Sequence, residues 1–490
     1  MDEVPHYVNG ALLRDAEGVG EIFDPAKGIV VRTVGFAGDH VIDQAVAGAR
    51  ASQWSSTPLA ARAAVLFRVR ELLRARADEL AAIITEENGK TLSDARGEVE
   101  RGLENVEFAC GLVDHLKGEY LGEVARGVDV HSLREPVGVI AAITPFNFPA
   151  MVPLWMCANA LAAGNSVVLK PSEKDPSAAI FLAQLFGEAG LPSGALQVVH
   201  GAASTVDLLL EHPGIDAVSF VGSTPVARAI YHQATATNKR VQALGGAKNH
   251  MVVLADADLN AAADAAISAG FGAAGERCMA VSVVVAVNEI ADDLVSRIAT
   301  RMDRLVVGDG RTAGTDIGPL ITAAHRDRVA RYVEGAGHQR AKVVRDGRSD
   351  RPHAGFYLGP TLLDAVTAGM ACYDDEIFGP VLSVVRVRDL DDALELVNAN
   401  PFGNGAAVFT SSGREARRFT REVTAGMVGV NVAIPVPVAA FSFGGWKQSL
   451  FGHAHIYGPE GLAFYTRSKV VTTRWPEAPA DNSLNFPTNR

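Results

Sequence analysis

The sequence predicts an α/β protein of two domains, and three observations carry that expectation. At 490 residues the chain is far longer than a single core of ordinary size needs. Its make-up, 48% apolar and 21% charged, is that of a globular chain rather than a disordered one. From residue 137 onward, short apolar runs alternate with stretches of helical length, the pattern of a parallel sheet covered on both faces.

The elements follow in chain order. The start, MDEVPHYVNG, is acidic and has no apolar core, so no signal peptide is expected. Residues 39–118 read as mostly helical: Leu59, Val65, Leu66, Val69, Leu72 and Leu73 recur near a helical period after Pro58, a first-turn proline. Leu80, Ile83 and Ile84 continue the stripe until Asn88-Gly89 stops it, and a further helix is expected over 93–117, with Arg101 in its first half. VGVIAAI (137–143), SVVLK (166–170), LQVV (196–199), AVSFVG (217–222) and MVVLA (251–255) read as buried strands. Helices are expected between them, around 153–163, 177–189, 203–211 and 225–236. Right-handed crossovers would gather the loops after the strands' carboxyl ends into one crevice, where ligands bind in open sheets of this kind. A second alternating block runs from VSVVVAV (281–287) to about 435, and the tail after 470 is polar.

Charge narrows the partners. With 45 Lys+Arg against 56 Asp+Glu the net charge is −11, so neither nucleic acid nor an acidic membrane is expected as a partner. An anionic substrate would need arginines of its own. The four cysteines, Cys110, Cys157, Cys278 and Cys372, are too widely spaced for a disulfide framework or a metal site. No apolar run approaches the ~20 residues that span a bilayer. A reducing, cytoplasmic setting is the expectation. His453-x-His455 has the look of a metal pair but lacks a third ligand, so no metal is expected.

Several residues carry chemistry. Cys278 lies in GERCMA, a turn-like setting with Arg277 beside it, and a nearby arginine favours the nucleophilic thiolate. The other three cysteines read as small buried hydrophobes. Asn147, between the prolines of TPFNFP (144–149), is either a turn residue or a donor to an oxyanion. Lys170 and Glu173 of KPSE either bond ribose hydroxyls or start a capped helix. GFGAAG (270–275) satisfies the dinucleotide fingerprint G-x-G-x-x-G, but it follows a helical run and precedes a strand, so it is not expected to hold phosphate.

Taken together, TPFNFP, VVLKPSE, SFVGST, GERCMA and EIFGPV, in this order and spacing, resemble the NAD(P)-dependent aldehyde dehydrogenases over essentially the whole chain. The resemblance implies a nucleotide-binding, Rossmann-like domain (1–118 and 137–246), a catalytic α/β domain (247–446) and a small oligomerisation arm (119–136 and 465–490). A homotetramer or homodimer would follow. Cys278 would be the nucleophile, and Asn147 would share the oxyanion with the Cys278 N–H. Thr144 and Phe146 would border the cofactor, Lys170 and Glu173 would hold the adenosine ribose, and Ser223 would lie by the pyrophosphate. Glu376 would hold the nicotinamide ribose, with Phe378 beside the ring. NAD is expected over NADP, because Glu173 would crowd a 2′-phosphate.

One departure narrows the activity. Hydrolytic members activate water with the glutamate of E-L-G-G-K, where this chain reads QALGGAKNH (242–250). Aligning Lys248 puts Leu244 at the glutamate position; aligning the glycine pair puts Ala243 there. Neither accepts a proton, whereas a thiol needs less help than water. The chain therefore resembles the acylating branch that oxidises methylmalonate or malonate semialdehyde and passes the acyl group to coenzyme A, giving propionyl-CoA or acetyl-CoA with loss of carbon dioxide. Arg101 of RGLENVE and Arg277 match that branch's carboxylate-binding pair, as an acidic semialdehyde requires. The alternative is a hydrolytic enzyme of broader range, with Glu276 as its base.

Overall fold

The computed structural model describes residues 2–349, 352 and 354–475; part of the expected arm, 476–490, lies outside the described residues. Leu59–Ala75 starts after Pro58, and Ala77–Asn88 ends at Gly89, whose φ of +89° is a left-handed cap. The helix expected over 93–117 is shorter than that: Gly111 closes Leu92–Cys110, and a single turn, Leu112–His115, follows.

An eight-stranded sheet takes seven strands from the first half of the chain and an edge strand, Leu450–Phe451, from near its other end. Its middle is five parallel strands in the spatial order Leu196–Val198, Ser166–Lys170, Val139–Ile143, Ala217–Val221, Arg240–Leu244. The side-chain period of two sends Val167 and Leu169 into one apolar cluster and Val168 into another, on the opposite face. Burial of such a residue on both sides of a sheet is worth roughly 1.5–3 kcal/mol each. Arg240–Leu244 and the N-terminal strands His6–Val8 and Ala11–Leu13 were not anticipated. Gln242 explains the first: fully buried, it accepts from the Ser219 hydroxyl and donates to the His455 carbonyl, so a polar residue interrupts what would read as an apolar run.

The chain moves outward from Val139–Ile143 through two strands, then returns to its other side with Ala217–Val221. The switch point thus lies between the carboxyl ends at Thr144 and Gly222, the place where such sheets hold ligands.

A second sheet of seven strands has Asn249–Val253 and Val281–Val287 at its centre, flanked by Val381–Val387 and Gly405–Phe409, all parallel. Loops at the amino ends of these strands meet the first sheet's carboxyl edge: the Asn147 side chain donates to the Glu276 carbonyl, and the Ala247 N–H to Glu376. Of two three-stranded sheets, one pairs Asp2–Val4, Ile29–Phe36 and Gly18–Asp24, and the other, the arm sheet, joins the hairpin Tyr120–Ala125 and Val128–Pro136 to Thr466–Arg474, in unbroken register from Thr466↔Pro136 to Arg474↔Val128. No helix among the described residues is long and apolar enough to cross a membrane.

Candidate active site

Cys278 follows the helix Leu259–Phe271 through a tight turn. Ala273 (φ 49°), Ala274 (φ 53°) and Gly275 (φ 73°) are all left-handed, a conformation that costs an alanine about 1–3 kcal/mol and persists only where neighbours impose it. They do: Ala273 N–H donates to Asp94, and a Cβ on Gly275 would stand 2.2 Å from the Gly379 carbonyl. Asn249 and Asn404 then both donate to the Cys278 carbonyl, at 2.9 and 3.2 Å. The turn fixes the cysteine. GFGAAG spans the end of that helix and this turn, ahead of the strand Val281–Val287.

Arg277 acts in the expected direction, lowering the Cys278 thiol, but its pull is outweighed. Burial dominates and, with the charge of Glu376, pushes the Cys278 thiol up to about 12. The N–H groups of Cys278 and Met279 and the Arg277 charge pull it down but do not win. Arg277 is itself paired with Asp94.

Two cavities meet at Cys278. One, about 300 Å³, is lined by Arg101, Arg277, Asp94, Trp155, Val436 and Phe443 among others. Arg101 donates to Glu104 at 2.7 Å and to the Val436 carbonyl at 3.3 Å. The other, about 380 Å³, lies at the sheet's switch point and is lined by Phe146, Asn147, Ser223, Glu376 and Phe378 together with Lys174, His325 and Arg328. Phe146 and Phe378 meet edge to face, centroids 5.9 Å apart. Burial lifts the Glu376 carboxyl to about 7, although the Ala247 N–H and Lys248 oppose the shift. Asn147 is buried and lines this second cavity.

Other residues stand apart from this junction. Thr144, Lys170 and Glu173 lie along the same sheet edge but outside the cavity lining, with Lys170 3.4 Å from Glu173. Leu244 is packed in the apolar cluster that holds Met279 and Phe443. Glu276 turns its carboxyl away, to within 3.3 Å of His325 Nε2 and 3.5 Å of the Ile321 N–H, and burial raises it to about 8. His455 lies 3.5 Å from Glu460. Lys174, His325 and Arg328 were missed; only Lys174, next to KPSE, carried any motif signal.

The switch-point cavity fits an anionic dinucleotide. Lys174 and Arg328 bring two positive charges with no ion-pair partner among the described residues. Ser223 starts the helix Thr224–Ala236 without capping it, leaving backbone N–H groups free for phosphate. The Thr144 hydroxyl, on the same edge, is buried without a partner.

The aldehyde dehydrogenase family model matches residues 14–471. The chain belongs to this family. It is similar to malonate-semialdehyde dehydrogenase of Pseudomonas aeruginosa, with 48% identity over 99% of each chain. Malonate-semialdehyde dehydrogenase 2 of Geobacillus thermodenitrificans is 49% identical over 96% of this chain and 98% of its own. Among solved structures, methylmalonate-semialdehyde dehydrogenase from Oceanimonas doudoroffii superposes with a TM-score of 0.96 at 48% identity, over 98% of this chain and 99% of that one. A structure from Sinorhizobium meliloti 1021, complexed with NAD, also reaches 0.96, at 46% identity over the same shares. This aldehyde dehydrogenase therefore has both the α/β architecture and the family expected of its motifs.

Proposed function

We propose that the protein carries out NAD-dependent, CoA-acylating oxidation of malonate semialdehyde or its 2-methyl homologue. The observation that carries this reading is that Arg101 and Arg277 line one cavity with Cys278. Two guanidinium groups suit a carboxylate, and a chain of net charge −11 needs such local cations to hold an acid.

The Cys278 thiol gives up its proton to solvent as its sulfur adds to the aldehyde carbon, and the oxygen that gains charge accepts from the Asn147 amide and the Cys278 N–H. In the other cavity the oxidised nicotinamide supplies the hydride acceptor. Glu376 and Phe378 would hold its ribose and ring, and Ser223 would lie by the pyrophosphate. Lys170 and Glu173 would hold the adenosine ribose, and Thr144 and Phe146 would border the cofactor. The acyl group is left as a Cys278 thioester.

Release then needs a second nucleophile. Leu244 stands where a hydrolytic relative has its base, and an apolar side chain in an apolar cluster activates no water. Glu276 faces His325. Coenzyme A, part thiolate at neutral pH, is the acceptor this site favours. The names of the relatives support the same substrate.

Residues 1–118 and 137–246 would be the NAD-binding domain, 247–446 the catalytic domain, and 119–136 with 465–490 an arm through which two or four copies assemble. Four free cysteines suit the reducing cytoplasm.

With malonate semialdehyde and NAD, NADH beyond one equivalent per Cys278 should require added CoA. Multiple turnovers at an equal rate in thiol-free buffer would overturn the acylating reading.

A further inference from the structure

Behind the oxyanion donor lies an ion pair that the reaction as described does not use. Lys90 and Glu98 are both almost wholly enclosed, with Nζ and Oε2 2.7 Å apart. Such a pair is a poor stabiliser, because desolvating both ions offsets their attraction. What sets this pair apart is where its remaining hydrogen bonds go.

The Lys90 ammonium also donates to the main-chain carbonyl of Asn147, at 2.5 Å, and lies 4.6 Å from the Phe148 ring centroid. The other Glu98 oxygen accepts from the N–H groups of Ala150 and Met151, at 2.8 and 3.1 Å. Those two amides open the helix Met151–Ala162 and would otherwise have no partner within it. One pair of opposite charges thus grips a carbonyl on one side of the Asn147 turn and two amides on the other. On the far side of the site, the Asn147 side chain is fixed by its 2.8 Å bond to the Glu276 carbonyl. That leaves the amide one free N–H.

We propose that Lys90 and Glu98 are positioning residues for Asn147. Their ion pair clamps the main chain of 147–151, so that the free N–H of the Asn147 amide already points at the aldehyde oxygen when charge develops there. The gain is preorganisation: a misplacement of about 1 Å at such a donor costs on the order of 10²-fold in rate. The proposal rests on reading Asn147 as the oxyanion donor.

A double-mutant cycle on the full-length enzyme tests it, with K90M, N147A and the double variant. Two rates are read: the first-turnover burst of NADH with malonate semialdehyde, and alkylation of Cys278 by iodoacetamide, which develops no oxyanion. N147A should slow the burst, and K90M should slow it about 10- to 100-fold with KM changed little. The double variant should be no slower than N147A alone, alkylation should stay within about twofold throughout, and K90R should restore part of the loss. If K90M does not fold, K90M/E98Q, which strands no buried charge, takes its place. A normal burst in K90M beside a slow N147A would overturn this proposal alone. So would additive losses, or alkylation falling in step with the burst. A normal burst in N147A would overturn the reading of Asn147 itself, and the clamp with it.

Discussion

Arg277 has two competing partners. In the free enzyme its guanidinium is paired with Asp94, which also accepts from the Ala273 N–H, so the arginine is oriented before substrate arrives. A substrate carboxylate would then share a fork already in place. Arg101, paired with Glu104, is the more exposed of the two. Charge-assisted bonds of this kind are worth about 1.5–3 kcal/mol. R277A and R101A should therefore each lower kcat/KM for malonate semialdehyde about 10- to 100-fold while largely sparing a neutral aldehyde such as propanal. Equal losses on both aldehydes would remove carboxylate recognition. Glu276 has a different consequence. Its folded pKa, about 8, lies above the ordinary value, so it is protonated in the native state where the unfolded chain is ionised. Its contribution to stability is complete below the unfolded value and is lost as pH rises through about 8. Glu276→Gln should gain in melting temperature relative to the parent as pH is raised from about 5 to 8, and should keep CoA-dependent NADH formation. A pH-independent difference would contradict the burial argument; loss of turnover would restore Glu276 as a base.

Elements became legible in the sequence where one physical demand governed every residue. Val139–Ile143 and Ser166–Lys170 are buried along their whole length, so the apolar run and the strand coincide. Gly89 and Pro58 mark helix ends because their backbones leave little alternative. Legibility failed where neighbours set the conformation. Ala273 and Ala274 are left-handed because Asp94 and the main chain of Gly379 hold the turn, and nothing in an alanine announces that. Arg240–Leu244 hid behind its buried glutamine. The gathering of Cys278, Asn147, Glu376 and Phe378 was readable only through the motifs that carry them, since each alone has an ordinary structural role. Lys174, His325 and Arg328 lie in polar stretches that read like any solvated face, and only the packing of two sheets brings them to one cavity.

At the scale of the whole molecule, the arm sheet is incompletely covered. Along Thr466–Arg474 consecutive residues are exposed on both faces, and Tyr120, Leu121, Leu133 and Val470 show 44–68% of their surface. A small sheet gains independent stability only when an apolar face is packed against something, and clustered exposed apolar groups mark an interaction surface. Two edge strands, Tyr120–Ala125 and Thr466–Arg474, also leave main-chain groups open to pairing. A second copy of the chain is the partner consistent with the arm proposed above, and a stable contact would bury roughly 1,200–2,000 Å². Replacing Leu121 and Val470 together by aspartate places charge in the middle of that contact. The doubly substituted protein should run as a smaller species than the parent in light scattering, with its far-ultraviolet spectrum retained, because the two large sheets keep their own cores. A parent chain that is itself monomeric at micromolar concentration would remove the arm's assigned role and leave its exposed face without an explanation.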